Sequence, residues 1–413
     1  MKLLTFLGVT KYNETCYTWQ DQECKTKFAP VASCHFLKPD SLTIFLTEDA
    51  EGQIFPEFKD ALPMGLLVQP VPVPLGEDEQ ELWQIFEQVS TAVQTGEEVA
   101  FDITHGLRSF PLVGLLVAAF LRAGMDVTLK AVLYGAYDVG KVVSPGCTPM
   151  FDLSPMLALL EWTTAAERFK RTGDARPLAS LVNQQRKDLA MAAQGNPDLL
   201  QEVGYLGNLA GSLTSISQSL RLIRPHQAME SIAGLKERVQ KAEPVLLRTA
   251  AARPFSLVLE GVVQSYLPLA SPDPLELENI QKTLMIEREM IHWYIDREQW
   301  VQAVSLAREW LVSWIMIQLG LKTITQLNAR HRIESVVGGE ASDYMAAKKT
   351  GKPFLAIFLA ELSNNEGILS LWLELTDVRN DIDHAGMRED PGKPEDLISR
   401  IKTCIQKIDD LQL

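Results

Sequence analysis

The most distinctive chemical pattern in the sequence is an arginine, an asparagine and a histidine close together near the C-terminus, in the run Arg379–His384. On an α-helix, Asn380 and His384 are one turn apart and lie on the same side. Histidine is the side chain that titrates nearest to neutral pH, and arginine offers a planar fork of N–H donors to phosphate oxygens. Together these residues predict proton transfer beside a phosphate.

On the spacing alone, without other context, a structural alternative is favoured. In it, Arg379 pairs with Asp377 or Asp383, and His384 ends the helix before Gly386. Elsewhere, no Asp, Glu and His set has the spacing of metal ligands, so we expect no metal. The five cysteines contain no Cys-x-x-Cys pair and are odd in number, which favours a reducing compartment.

A second polar cluster follows a buried strand. The segment Glu98–Ile103 has the pattern of a strand, and a helix is predicted over residues 107–124, with Ser109 as its N-cap and Pro111 in its first turn. Such a helix directs free N–H groups towards the sheet edge where anions bind. The candidate ligand-binding residues in this cluster are Asp102, Thr104, His105, Gly106, Leu107, Arg108 and Ser109.

The first predicted strand, Leu3–Leu7, also ends in a polar turn that contains glycine, and Gly8, Thr10 and Lys11 are candidates there. In open α/β sheets, ligands bind beyond the strand C-termini where the strand order reverses. The two turns therefore predict a site for a nucleotide-like ligand. Neither turn has the glycine pattern of a dinucleotide site or a P-loop ATPase.

A structural alternative is open for these turns too: Gly8 and Gly106 would only shape the turns, while Asp102 and Thr104 would cap the backbone.

Strands alternate with helices up to about residue 150. Further strands are predicted at Leu42–Leu46, Leu66–Val71 and Val127–Tyr134, and an amphipathic helix at Glu77–Gln94. This alternation predicts an α/β domain over residues 1–152, with a mostly parallel sheet and helices on both faces.

From residue 153 to 413 the pattern is helical. Periodicity extends through residues 156–194, 199–222, 227–250, 275–319, 367–384 and 394–411. Gly338-Gly339 and Lys348–Gly351 predict a mobile loop inside this all-α half. Leu369 and Leu373 share the helical azimuth of His384, which predicts a partner surface and a site shared between two copies of the chain.

The composition excludes some functions. The 413 residues carry a net charge of −14, with 10 Lys and Arg against 20 Asp and Glu in residues 1–155. Duplex DNA binding through clustered cations is therefore not expected. The longest apolar run, Phe110–Leu121, is too short to span a bilayer, and the N-terminus does not resemble a signal peptide. We expect a cytoplasmic protein without a membrane partner.

The two clusters together resemble the CARF–HEPN ancillary ribonucleases of type III CRISPR systems. Asp102–Gly106 resembles the Asp-x-Thr-His-Gly signature, and Arg379-Asn380 followed by His384 resembles the HEPN catalytic motif. Met1–Gly8 followed by Thr10 is similar to the family's first strand, and Asp152–Pro155 followed by Trp162 to its domain junction. The resemblance covers both ends of the chain and is weak between about 170 and 290.

The resemblance implies a Rossmann-like CARF sensor at 1–152 and an all-α part at 153–413. The latter would contain a helical linker or insert (about 156–290) and a HEPN ribonuclease core (about 291–413). It implies a cyclic oligoadenylate activator, with cyclic tetra-adenylate as the leading candidate, and no cofactor. It also implies a single-stranded RNA substrate and a homodimer or higher homo-oligomer. Arg379, Asn380 and His384 would be catalytic. RNA would be cut by 2′-OH attack without metal, in antiviral defence.

Two rival functions are carried forward. One is a ring nuclease that degrades cyclic oligoadenylate in the first domain. The other is a non-enzymatic, ligand-sensing regulator, which would need a basic recognition helix that the sequence does not offer.

Overall fold

The computed structural model describes residues 1–106, 109–143, 146–193, 195–248, 252–360, 362, 364–387 and 389–413. The chain divides into two compact units, Met1–Leu160 and Glu161–Leu413. The candidates Leu107 and Arg108 lie outside the described residues. Among the helices described, none combines the length and apolarity that crossing a membrane requires.

The first unit is built on a mixed sheet. Its strands are β1 (Lys2–Leu7), β2 (Thr15–Trp19), β3 (Gln22–Thr26), β4 (Ser41–Leu46), β5 (Leu67–Pro72), β6 (Glu98–Asp102), β7 (Thr128–Gly135) and β8 (Cys147–Asp152). Across the described residues their order is β3-β2-β8-β7-β6-β1-β4-β5. From β5 to β7 neighbouring strands are parallel. Strand β8 is antiparallel to β7, and β2 is parallel to β8 and antiparallel to β3.

Helices cover both faces of this sheet, as predicted. They are α1 (Ala29–Leu37), α2 (Glu48–Gln53), α3 (Phe55–Asp60), α4 (Glu79–Thr91), α5 (Phe110–Gly124) and α6 (Tyr137–Val143). Because side chains alternate along a strand, β1 contributes to two cores. Leu3 packs in one core with Phe36 of α1, and Leu4 packs in the other with Phe110 of α5.

Helix α5 begins where the predicted N-cap places it, but the cap itself differs from the prediction. The helix begins at Phe110, directly after Ser109. Ser109 occupies the N-cap position, but its backbone is already helical and its side chain makes no capping hydrogen bond. The expected capping role of the Ser109 hydroxyl is therefore wrong.

The second unit is helical. The remaining helices are α7 (Ser154–Thr172), α8 (Arg176–Ala192), α9 (Pro197–Arg221), α10 (Pro225–Ala233), α11 (Leu235–Arg248), α12 (Arg253–Tyr266), α13 (Ile280–Ile295), α14 (Trp300–Gln318), α15 (Leu327–Thr350), α16 (Asn365–Asp383) and α17 (Pro394–Asp409). Helix α7 begins in the first unit.

The mobile loop predicted around Gly338-Gly339 is wrong, because both glycines lie inside α15. A Cβ atom on Gly338 would lie 3.9 Å from Nε1 of Trp372 in α16. A side chain there would meet ordinary van der Waals contact, and the two glycines do not break the helix. Gly351, with φ of 66°, is the left-handed residue that ends α15.

Candidate functional site

The turns that follow β1 and β6 meet at the point where the strand order reverses. Strand β1 lies between β6 and β4, so the crevice beyond its C-terminal end is the usual ligand position in such a sheet. The backbones touch there: a Cβ on Gly8 would lie 3.4 Å from the Cα of Gly106. Gly106 has φ of 119°, a conformation that side chains rarely permit.

A cavity of about 260 Å³ opens at these turns. Four of the sequence-predicted residues line it: Thr10, Lys11, Thr104 and His105. The other lining residues are Tyr12, Asn13, Tyr17, Lys27, Tyr134, Gly135, Tyr137 and Asp138. Gly8, Asp102, Gly106 and Ser109 are not among the lining residues, although Gly8 and Gly106 bring the two turns together.

Asp102 is fully buried and holds the turn in place. Its carboxyl accepts hydrogen bonds from the Ser33 hydroxyl and, at 2.9 Å, from the Thr104 backbone N–H. Burial raises the pKa of Asp102 above its usual value. The Thr104 hydroxyl in turn accepts a bond of 2.8 Å from the N–H of Gly135. These bonds link the ends of β6 and β7.

His105 is a neutral, structural histidine in this arrangement. Its Nε2 accepts a hydrogen bond of 3.0 Å from the backbone N–H of Ala29, at the first position of α1, so the ring proton is assigned to Nδ1. Burial lowers the pKa of His105 to about 3. Its ring packs 4.3 Å from that of Tyr12, measured between centroids. His105 therefore offers a bound phosphate no positive charge near neutral pH.

Four tyrosines around the cavity were not singled out from the sequence: Tyr12, Tyr17, Tyr134 and Tyr137. Tyr134 and Tyr137 are 39% and 37% exposed. The Tyr12 hydroxyl donates to the Gly8 carbonyl at 2.9 Å, and burial raises its pKa to about 12. A usable signal was present, since Tyr134 lies near the C-terminal end of a third strand, β7, and Tyr137 follows that end of the strand.

The second cluster lies at the C-terminal end of α16. Nε of Arg379 is 3.0 Å from a carboxylate oxygen of Asp383, and both side chains are about two-fifths exposed. His384 is the C-cap residue, and its N–H donates to the Asn380 carbonyl at 3.0 Å. Both Asn380 and His384 are exposed. A single chain thus adopts the pairing of the structural alternative, with the imidazole at the surface.

Asp381 is a supporting residue that the sequence did not point to. It is 4% exposed, and its carboxylate accepts a hydrogen bond of 3.1 Å from the Gly392 N–H. Its carbonyl accepts another from the N–H of Gly386 at 3.0 Å. The residue inside the motif thereby fixes the turn after His384. Asp377, the other acid considered for Arg379, lies 2.8 Å from Arg400.

The predicted partner surface needs a correction. Leu369 is fully buried within its own chain, so no partner is required to cover it. Leu373 is partly exposed and remains the candidate contact on that side of α16. Within the described residues, no group of three or more His, Cys, Asp and Glu side chains is placed to hold a metal ion.

Comparison with known proteins gives one family and one relative. Residues 158–267 match the family model described as CRISPR-associated protein MJ1674, second domain. The CRISPR-associated protein MJ1674 of Methanocaldococcus jannaschii is 32% identical over 122 residues, which are 29% of this chain and 19% of that protein. The aligned part thus spans about a fifth of the relative's length. The family match supports a CRISPR-associated protein, and both candidate clusters lie outside residues 158–267.

Proposed function

We propose that this protein is a cyclic-oligoadenylate-activated, metal-independent endoribonuclease that cleaves single-stranded RNA in the cytoplasm during type III CRISPR defence. Its first unit is the Rossmann-like CARF sensor, and its HEPN core lies within the second. The observation that carries the proposal is one cavity, bounded by both glycine turns, in a chain that also exposes Asn380 and His384 beside Arg379. The match to a CRISPR-associated family agrees with this assignment.

The cavity suits part of an adenine nucleotide ring. Exposed faces of Tyr134 and Tyr137 are suited to stacking on bases, and Lys11 and Thr10 to contacting phosphate and sugar. About 260 Å³ lies just below the roughly 300–1,000 Å³ of ordinary ligand pockets. A ring of several nucleotides therefore requires more than one copy of the cavity.

A homodimer supplies that second copy. Helix α5 carries Leu112, Leu116 and Phe120 at four-residue spacing, and these side chains are 61%, 54% and 46% exposed. Such an apolar stripe marks an interaction surface on a protein of ordinary composition. We assign it to the partner chain, which would bring two cavities and two HEPN cores into one assembly.

The reaction follows from the chemistry of RNA. The ribose 2′-oxygen forms a bond to the adjacent phosphorus and the bond to the 5′-oxygen breaks, leaving a 2′,3′-cyclic phosphate and a 5′-OH. His384 transfers a proton, and Arg379 stabilises the charge on the non-bridging oxygens. Asn380 orients His384 or the phosphate. The Arg379–Asp383 pair is exposed and worth only about 0.3–0.5 kcal/mol, so RNA phosphate can displace it.

The rival ring-nuclease function would require a proton-transfer group at the cavity. His105 is unsuited to that role, because Ala29 occupies its Nε2 and its pKa is lowered to about 3. The remaining lining groups, such as Lys11 and Thr10, are the candidates for that activity.

The proposal is tested by incubating labelled single-stranded RNA with the full chain, EDTA and each cyclic oligoadenylate in turn. We expect cleavage with one ring size, products with 2′,3′-cyclic phosphate and 5′-OH ends, and no effect of EDTA. Degradation of the cyclic oligoadenylate during the incubation, without cleavage of RNA, would support the ring nuclease instead. A shift of labelled duplex DNA, with neither activity, would support the regulator.

A further inference from the structure

Arg308 in the middle of α14 is a buried cation with incomplete partners. It is 6% exposed. Within the described part of the chain, its buried Nε and Nη1 atoms have no hydrogen-bond partner, and the carboxylate of Glu334 lies 3.7 Å from Nη1. A buried guanidinium without full hydrogen bonding is costly. Packing alone does not explain it, because an apolar side chain of similar size would avoid that cost.

The guanidinium lies against the helix that carries the candidate nuclease motif. Its Cζ is 3.6 Å from the ring centroid of Trp372 in α16. Thr376, one turn further along α16, also has a buried hydroxyl oxygen, which finds no partner among the residues that the structure describes. Arg379 follows three residues later on the same side of the helix. One side of α16 therefore carries Trp372, Thr376 and Arg379 in a row towards the motif. The guanidinium of Arg308 lies against the first of them.

The charges of Arg308 and Arg379 are close enough to interact. Burial lowers the pKa of Arg308, Glu334 and Glu309 raise it, and the positive charges of Arg379 and Arg330 lower it again. Arg379 is 42% exposed and pairs with Asp383 at the surface, whereas Arg308 is buried and lies against Trp372. Because buried charges are screened weakly, the like charge of Arg308 disfavours any position of the Arg379 guanidinium against the helix interior.

We propose that Arg308 is a positioning residue of the RNA site, whose fixed charge holds the Arg379 side chain outward beside His384 to meet the phosphate of the substrate. This inference rests on the proposed ribonuclease function. A preorganised cation of this kind also favours the extra negative charge of the transition state without having to reorient during the reaction.

Arg330 offers a matched control in the same helical unit. Its guanidinium is 16% exposed and has several partners. It donates to the Ser313 hydroxyl at 2.8 Å, to the Ile324 carbonyl at 2.7 Å and to Glu309 at 2.7 Å. Arg330 is thus an arginine whose hydrogen bonds explain its position structurally.

The test compares RNA cleavage at saturating activator and the thermal midpoint of four full-length variants. Arg308→Met keeps the volume and apolar stem, and we expect at least a tenfold fall in kcat with an unchanged or higher midpoint. Arg308→Lys keeps the charge, and we expect kcat within about threefold of wild type. Arg330→Met should lower the midpoint and leave kcat within about twofold. Glu334→Gln, which removes the nearest opposing charge, should raise kcat/KM at least twofold.

A purely structural role would reverse the order, with Arg308→Met as active as wild type and Arg308→Lys impaired; that result overturns the inference. If Arg308→Met does not fold, the kcat of Arg308→Lys and the kcat/KM of Glu334→Gln distinguish the two roles. An inactive but folded Arg308→Lys, or an unchanged Glu334→Gln, also overturns it. The ribonuclease function is tested independently of Arg308: it requires that the wild type cleave RNA and that His384→Ala lose this cleavage. Absence of cleavage by wild type contradicts the function itself.

Discussion

The two motifs that contain histidine place the imidazole in opposite environments. His105 is 8% exposed, accepts a hydrogen bond from Ala29 and packs on Tyr12. His384 is exposed at the end of α16, and its backbone N–H donates a hydrogen bond to the Asn380 carbonyl. The sequence made both histidines functional candidates. Burial separates them into a residue that builds a binding turn and a residue that is accessible to a substrate.

The largest expected difference between the two regions is in chemistry. His384→Ala should reduce RNA cleavage by about 10²–10⁴-fold, the usual contribution of proton transfer by a positioned side chain. Its thermal midpoint should stay close to that of wild type, because an exposed side chain contributes little packing. Cleavage of labelled RNA at saturating activator measures the first quantity, and calorimetry the second. Wild-type cleavage by this variant would remove His384 from the site.

The opposite pattern is expected for His105. Replacing it by alanine deletes a buried ring and leaves the Ala29 N–H without its acceptor, so the free energy of unfolding should fall by about 2–4 kcal/mol. At a temperature where the variant is folded, kcat at saturating activator should change little. Denaturant unfolding of the variant and wild type gives the comparison. Equal stability of the two proteins would contradict the structural role.

The pH dependence sharpens the same contrast. The pKa of His105 is about 3 in the folded protein and about 6.5 in an unfolded chain. Between these pH values the unfolded state therefore binds more protons than the folded state. The contribution of His105 to the free energy of unfolding is fully present above pH 7 and is lost as the pH falls. From pH 7 to pH 5 this group removes about 2 kcal/mol.

His105→Gln has no titrating side chain at this position and serves as the control. Asp102 acts in the other direction, because its pKa is raised by burial and its protonation favours the folded state as the pH falls. Since both proteins contain Asp102, the difference between their unfolding curves from pH 7 to pH 5 isolates His105. Parallel curves would contradict the lowered pKa, because they would show that His105 binds protons equally in the folded and the unfolded protein.

The partner surface on α16 predicts an effect on assembly as well as on cleavage. Leu373→Asp places a charge at a partly exposed position where we expect a second chain. Burying that charge costs on the order of several kcal/mol, which is enough to divide a modest interface. Light scattering should find monomers, with RNA cleavage lost and the first unit still folded. A fully active monomer would mean that one chain contains a complete site.

The smallest effect is expected in the cavity. Lys11→Ala removes an exposed cation next to a proposed phosphate, a contact worth about 1 kcal/mol or less at the surface. The activator concentration for half-maximal cleavage should rise about three- to fivefold, and the maximal rate should not change. A titration with cyclic tetra-adenylate measures both. A lower maximal rate at the same half-maximal concentration would place Lys11 outside the binding step.

Sequence reasoning found the elements with strong hydrophobic patterns and missed those without them. Strands β1, β4 and β6 are continuous apolar runs in a parallel sheet, and the predictions for them differ from the structure by one residue at most. The hairpin of β2 and β3 was missed, because its strands are short and rich in polar residues. It turns at Gln20, which has φ of 53° and carries no glycine signal.

Contacts between distant elements were the main limit. Gly338 and Gly339 suggested a loop because glycine lowers helix propensity, while α15 continues through both residues and packs on α16. The same holds for the candidate sites. The pattern identified Thr104 and Lys11, but the burial of His105 depends on its contacts with Ala29 and Tyr12, which are distant in sequence.

The central claim is that one chain combines a cyclic oligoadenylate sensor with a ribonuclease. The most direct test is the single-turnover cleavage rate of labelled single-stranded RNA by the full-length wild type, measured with and without saturating cyclic oligoadenylate in the presence of EDTA. We expect cleavage that depends on the activator and yields 2′,3′-cyclic phosphate ends. A rate that is the same with and without every ring size, or products with 3′-OH ends, would contradict it.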